Sequence, residues 1–396
     1  MNGITIVGGV YHESCIWPEW NQIVGSGGRA AAAISGHVER VRLCSYIKPE
    51  LNDLFQPSAA VYGFQFEPSI GKQGISFEYV HCLSTPIVHP APELIQMNSP
   101  IQVSDEVVLR FGMLEGTAVV TAGRCVYDPQ SPLSPERFAA NGSQATHLAI
   151  VANRTEVSSL SGKSDPIDGA RVLLNEGAEV VVVKSGPAGA FVIVPEEVIH
   201  IPAYKTNQVW TIGSGDVFAA VFAATWGVHK ESAIVAAKFA SLAVAAYADT
   251  MALPTPPKEN LSKQYFTEAN TVPGRVYLAG PFFNLGQRWL IDETRNALRA
   301  FSLDPFSPVH HVGRGPAESV APADLAALHE CDRMFAILDG LDSGTLFEVG
   351  YARSRGLPVY ALAQAVAPED LKMVKGSGCL VFDDFVTAVY HTAWRS

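Results

Sequence analysis

Residues Asp339 to Ala352 read D-G-L-D-S-G-T-L-F-E-V-G-Y-A. An apolar run, Met334 to Leu338, enters this stretch as a strand, and its two aspartates and two glycines make a loop. From Thr345 the pattern is that of an amphipathic helix with Glu348 on its first turn. Helix amides near that turn favour an ionised carboxylate. Such a carboxylate suits glycosidic-bond chemistry, as a nucleophile at an anomeric carbon or as a stabiliser of an oxocarbenium ion. An acidic turn that only complements the helix dipole is the plainer reading of the same residue.

Upstream, Tyr277 to Phe283 (Y-L-A-G-P-F-F) reads as a strand ending in a Gly-Pro turn, followed by a helical pattern through Trp289, Leu290, Thr294, Ala297, Leu298 and Phe301. A second short helix beginning near Pro322 carries Asp324, and Asp332 leads into the strand before the opening motif. Alternating strands and helices of this kind predict a small parallel α/β sheet, flavodoxin-like or Rossmann-like, whose ligands bind beyond the carboxyl ends of its strands. Gly280-Pro281 and the loop from Asp339 to Thr345 fall at such ends.

On these motifs the segment from Arg275 to about Ala363 resembles the nucleoside 2-deoxyribosyltransferase family. The resemblance implies that Glu348 is the nucleophile that takes the deoxyribosyl group. Asp342, six residues earlier, would hold the sugar 5′-hydroxyl, and Asp324 would handle the base and its proton. Gly280, Pro281, Phe282, Asp332 and Gly344 are expected around the substrate, with no cofactor. A related branch that hydrolyses nucleoside 5′-monophosphates has Ser where Asp342 stands. Asp342 would set a like charge against a 5′-phosphate and so points to a free 5′-hydroxyl. Pockets of this family are completed by neighbouring subunits, which implies a homo-oligomer.

At 396 residues the chain is long enough for two domains. Residues 1–252 read as one domain, 274–396 as the other, and the Pro-rich, polar stretch 253–273 as a linker. A net charge of −11 with no basic cluster disfavours a nucleic-acid partner. The N-terminus reads as a strand entering a Gly turn rather than as a signal peptide. The Ala-rich run Ser232 to Ala248, interrupted by Lys238, is expected to be too short to cross a bilayer. Cys15, Cys44, Cys82, Cys125, Cys331 and Cys379 show no metal-ligand spacing and suit reduced thiols of a cytoplasmic protein. His310-His311 has no ligand-spaced acid or Cys nearby and reads as a solvated loop pair.

In the first domain, Thr211 to Ala220 (T-I-G-S-G-D-V-F-A-A) carries the chemistry. Gly213, Ser214 and Gly215 can turn their amides to one point at a helix N-terminus, making an anion hole. Asp216 could cap that helix or act as a base beside a phosphoryl-transfer site. The stretch resembles the second signature of ribokinase-like (PfkB) sugar and nucleoside kinases, usually D-T-x-G-A-G-D. Asn153 and Glu156, in I-V-A-N-R-T-E, match that family's N-x-x-E near the Mg-nucleotide phosphates. Val180 to Phe191 and Val119 to Pro129 resemble its later and central strands, and Ser26 to Ala31 its Gly-Gly signature. A three-layer α/β/α fold follows, with Mg-ATP as cofactor, Glu156 toward its metal, and Gly28 and Glu13 at the sugar.

The departures are specific. Trp210 replaces the Asp of the D-T pair, and Arg29 stands where an Asn is expected after the glycines. The length of the domain leaves little room for the β lid that closes over the sugar. Two functions from different classes remain open at this stage. One is a bifunctional enzyme with N-glycosidic cleavage or transfer at Glu348 and phosphorylation of a nucleoside or sugar at Asp216. The other is a glycosidase regulated by a catalytically inactive, nucleotide-binding domain. Both imply a small-molecule nucleoside, base or sugar as ligand.

Overall fold

A computed structural model describes residues 3–131, 134–263 and 266–395. The chain divides into two compact units, Met1–Thr206 with Trp210–Glu268, and Asn207–Val209 with Ala269–Ser396.

The first unit opens with β1 (Gly3–Val7), β2 (His12–Cys15), β3 (Trp20–Ile23), α1 (Gly25–Ala33), β4 (Arg40–Ile47), α2 (Pro49–Tyr62) and β5 (Gln65–Ile70). Next come β6 (Ser76–Tyr79), β7 (Ile87–His89), β8 (Ile101–Phe111), β9 (Ala118–Asp128), β10 (Gln144–Asn153), α3 (Arg154–Ser161) and α4 (Pro166–Asn175). They are followed by β11 (Val180–Lys184), β12 (Ala190–Val194), β13 (Glu197–Ile201), a short β14 (Ala203–Tyr204), α5 (Ser214–Phe222), α6 (Ala233–Thr250) and α7 (Lys258–Leu261).

Nine strands form one sheet in the order β13-β12-β11-β10-β9-β8-β1-β4-β5. It is parallel from β11 to β5, and β12 and β13 add an antiparallel edge. The run Val180–Val183 is β-branched and buried throughout, as a strand covered on both faces requires. Helix α1 lies close over the end of β1 because Gly27 has no side chain: a Cβ there would stand 2.7 Å from the Gly8 carbonyl oxygen.

A second sheet, β3-β2-β6-β7, stands apart from the first. It corrects the expectation that the domain has little room for a lid. Its strands run only three or four residues, too short for a hydrophobic alternation to stand out in the sequence. The boundary expected at residue 252 also lies later. Thr255 is buried and bonds back to the Ala33 carbonyl through both its amide (3.1 Å) and its hydroxyl (2.9 Å), so the Pro-rich stretch begins as part of the first unit. Helix α6 has 18 residues and is long and apolar enough to cross a membrane by length and composition, unlike the expectation; more than half of it is buried. None of the six cysteines is in a disulfide, and all are buried.

The second unit contains β16 (Arg275–Ala279), α8 (Leu285–Ala300), β17 (Asp304–Phe306), α9 (Pro308–His311), α10 (Ala317–His329) and β18 (Arg333–Ile337), a short β15 (Glu268–Ala269) having ended just before. It continues with α11 (Ser343–Ser354), β19 (Val359–Leu362), α12 (Lys372–Gly376), β20 (Leu380–Phe382) and α13 (Phe385–Trp394). All five sheet strands are parallel, in the order β17-β16-β18-β19-β20. Helix α10 starts five residues before the expected Pro322 and holds that proline inside it.

Two candidate active sites

In the second unit the loops after β16 and β18 leave neighbouring parallel strands at their carboxyl ends, where such sheets bind ligands. Asp342 is the N-cap of α11 and accepts from the Thr345 amide at 2.8 Å and the Thr345 hydroxyl at 2.9 Å, both on Oδ2. The loop before it turns through left-handed backbone at Gly340 and Leu341 and is held by Asp339, which accepts from the amides of Gln364 and Ala365. Helix α11 therefore begins at Ser343, earlier than Thr345, and Glu348 is its sixth residue rather than part of the first turn. The helix terminus does not reach it, since that field fades within one turn.

Glu348 instead meets Tyr277, whose hydroxyl donates to Oε1 at 2.7 Å. Burial pushes the Glu348 carboxyl up to about 7; the Tyr277 bond opposes this, while Asp324 and Asp342 add to it. Burial thus works against the ionised form that a helix start was expected to favour. Tyr277 is fully buried on β16, and its ring stacks on Phe306 of β17 at 5.6 Å. Burial also raises the Asp324 carboxyl, whose Oδ1 is buried with no hydrogen-bond partner. Glu348, Asp342 and Asp324 are thus near enough to influence one titration, and Tyr277, missed in the sequence although it begins the Y-x-A-G-P motif, joins them.

Gly280 packs against Ile337 and Ile291, where a Cβ would sit 3.0 Å and 3.1 Å from their side chains. Pro281 is buried and Phe282 half-buried on the loop after β16, and Gly344 is exposed in the first turn of α11. Asp332 is not with them. It precedes β18, at the opposite end of the strand from Asp339, and accepts from the Arg275 amide at 2.8 Å and Arg333 Nε at 2.6 Å. Arg333 is fully buried and also donates to the carbonyls of Thr392 and Val272. Asp332 is a counter-charge for a buried arginine, contrary to its expected place at the substrate.

In the first unit Gly213 takes a φ of +76° and caps α5, so the turn Gly213–Ser214–Gly215 opens onto the helix N-terminus as expected. The side chain of Lys184, at the end of β11, lies beside it: a Cβ on Gly215 would be 3.2 Å from Lys184 Nζ. Lys184 donates to Asp128 at 2.5 Å, leaving Asp128 Oδ1 buried and unpartnered. Burial raises the Asp128 carboxyl against the pull of Lys184. Neither residue was singled out in the sequence, although Lys184 breaks a run of four valines.

Asn153 and Glu156 form the capping box of α3: each side chain accepts from the other's amide at 2.8 Å. Glu156 faces the same region, since its charge acts on both Asp128 and Lys184. Asp216 is buried in the first turn of α5. Its Oδ2 accepts from Arg29 Nη1 at 2.6 Å and its Oδ1 from Gln130 Nε2 at 2.5 Å. Arg29 is 2% exposed and also donates to Glu13 of β2. Burial raises the Glu13 carboxyl, with Arg29 pulling the other way. Gly28, on the same helix, packs against Phe55, where a Cβ would be 2.9 Å away. Trp210, in the departed D-T position, packs edge-on against Trp20 of β3, 5.2 Å between centroids.

Residues 124–256 match the pfkB family carbohydrate kinases, and residues 276–382 match the nucleoside 2-deoxyribosyltransferases. The chain carries both kinds of domain. The chain is 35% identical over 81 residues to deoxyribokinases of Salmonella typhi and of Salmonella typhimurium strain LT2, covering 19% of this chain and 26% of each relative. The chain thus spans about a quarter of the length of those curated relatives. A structure of Arabidopsis thaliana ribokinase complexed with ribose and ATP is similar at 15% identity, with a TM-score of 0.50, over 66% of this chain and 98% of that one. A Thermotoga maritima ribokinase follows at 18% identity and a TM-score of 0.46, over 66% and 98%. The likeness to the Arabidopsis structure shows a ribokinase-like fold.

Proposed function

We propose that the transferase-type domain cleaves the N-glycosidic bond of a nucleoside through Glu348. The observation that carries this reading is the Tyr277 hydroxyl 2.7 Å from Glu348 Oε1, beside an Asp324 carboxyl with an unpartnered oxygen. The Glu348 carboxylate forms a bond to the anomeric carbon as the bond to the base nitrogen breaks, and the electron pair leaves on the base. Asp324, its pKa raised by burial, supplies the proton that the departing base takes up. A second base or water then takes the sugar from Glu348. Asp342 binds the 5′-hydroxyl with the oxygen that its cap bonds leave open. Phe283 (68% exposed), Leu285 (86%) and Phe347 (62%) leave apolar surface open on this unit, which supports a homo-oligomer.

The kinase-type domain, on this reading, uses Mg-ATP to phosphorylate the released sugar or a nucleoside with Asp216 as base. The matched Salmonella deoxyribokinases make a deoxy sugar the first acceptor to try. The glycine turn and Lys184 fit phosphate oxygens, and Asp128 and Glu156 fit a magnesium ion. Among the described residues no group of three or more metal-ligating side chains occurs, so that ion would rely on phosphate oxygens as well. One observation favours a second reading, a nucleotide-binding domain that regulates the glycosidase without transferring phosphate: both Asp216 oxygens are already engaged.

Chromatography of a nucleoside panel, incubated with and without a second base and Mg-ATP, tests both. Free base from wild type but not from Glu348→Gln supports the glycosidic reading, and equal release overturns it. Phosphorylated product lost in Asp216→Asn supports kinase chemistry. Nucleotide binding without such product supports the regulatory domain. Full activity from a monomer in light scattering overturns the oligomer.

A further inference from the structure

Arg29 joins three elements of the first unit. It stands on α1, its guanidinium pairs with Asp216 at the start of α5, and it also pairs with Glu13 on β2 of the separate four-stranded sheet. The same guanidinium lies against the glycine turn, because a Cβ on Gly213 would fall 2.1 Å from Arg29 Nε. Gln130 holds the other Asp216 oxygen. Asp216 and Arg29 are 6% and 2% exposed, so no solvent-filled space separates the carboxylate from its partners. A general base must have a free lone pair within hydrogen-bond reach of the proton it removes.

We propose that Arg29 is a latch on Asp216, tied to the lid sheet through Glu13, that keeps the base from acting on water until an acceptor hydroxyl enters the pocket and displaces the guanidinium. This rests on Asp216 being the base of an Mg-ATP-dependent reaction. With the latch open, the acceptor oxygen bonds to the γ-phosphorus as the bond to the bridging oxygen breaks. The electron pair leaves on ADP, and the acceptor proton passes to the Asp216 carboxylate. With the latch closed, neither water nor a sugar hydroxyl reaches Asp216. Opening is favoured by an acceptor whose own hydroxyls can donate to Glu13 and Asp216 in place of the guanidinium. That describes a polyhydroxy sugar better than an anionic one, since Arg29 with two carboxylates leaves the cluster net negative.

Removing Arg29 alone would leave two buried carboxylates without a counter-charge, a strongly destabilising change. The paired variant Arg29→Met with Glu13→Gln removes one cation and one anion together and leaves Asp216 bonded to Gln130. The full-length chain is assayed for ADP release from Mg-ATP with no acceptor present, beside circular dichroism and ATP binding. The paired variant should release ADP about tenfold faster than wild type or more, and adding Asp216→Asn should return it to the wild-type level. A purely structural role for Arg29 gives only losses. Arg29→Lys, which keeps the charge but lacks the fork that serves both carboxylates, is the second probe and should rise severalfold. The latch is overturned if neither folded variant exceeds wild type, or if the rise survives Asp216→Asn. Absence of ATP binding in wild type would count instead against the phosphoryl-transfer reading itself.

Discussion

The hydroxyl of Tyr277 and the carboxylate of Glu348, 71 positions apart in the chain, meet at 2.7 Å because β16 and β18 run side by side and α11 follows β18. The bond lowers the carboxyl's pKa and burial raises it, and burial wins, leaving it at about 7. A nucleophile must be deprotonated, so base release should rise with pH through an apparent pKa near 7. Tyr277→Phe removes the opposing bond. Its acid limb should move to higher pH, with kcat/KM at neutral pH down about tenfold. An unmoved limb in the pH–rate profile would leave Tyr277 only a packing role.

The same carboxyl affects stability. Its folded pKa of about 7 stands above the ordinary 4.5, so the fold binds this proton more tightly than the unfolded chain does. The stabilisation is present below pH 4.5 and is lost as pH rises to about 7. Glu348→Gln should therefore unfold several degrees higher than wild type at pH 8, from a gain of about 2 kcal/mol. The difference should vanish near pH 4.5 in calorimetric scans.

Asp342 has two roles that one substitution separates. Serine is also a good N-cap, so Asp342→Ser should keep the start of α11. It removes the charge that would face a 5′-phosphate. The ratio of kcat/KM for a nucleoside 5′-monophosphate to that for the nucleoside should rise about tenfold or more. An unchanged ratio would mean that Asp342 does not read the 5′ position.

Asp332→Asn should cost about 1–3 kcal/mol of stability, because Arg333 stays buried with a weaker partner. Its KM for nucleoside should stay within about twofold of wild type, since a surface away from the site does not touch substrate. A large rise in KM with unchanged thermal stability would restore Asp332 to the substrate pocket.

Asp342 was legible because it falls on the loop after a strand and caps the next helix, whereas Glu348 and Asp324, inside α11 and α10, were read from family-like spacing. The loop from Asp339 to Thr345 and the turn at Gly280-Pro281 are features written in short stretches of chain. What escaped is set by pairing over distance. Tyr277 is one apolar residue among others until the register of β16 against β18 is known, with Tyr277 opposite Met334. Asp332 read as a site acid because nothing local shows that the next residue, Arg333, is wholly buried and needs it. Helix α10 was shortened by reading Pro322 as a start, whereas the proline lies inside it. In the first unit Arg29 was visible as a departure, but its contact with Asp216 spans 187 positions and follows only from the packing of α1 against α5.

Gly213 places two unrelated demands on one position. Its backbone, at φ +76°, needs a residue without a side chain, and the space left by that missing side chain is what the Arg29 guanidinium fills. Any other residue there would strain the turn and evict the arginine in the same step. A change at position 213 would therefore disturb the glycine turn and the Arg29–Asp216 pair together, whereas a change at position 29 touches the pair alone. If the pairing around Asp216 was ever retuned in this lineage, position 29 is where the change would be found.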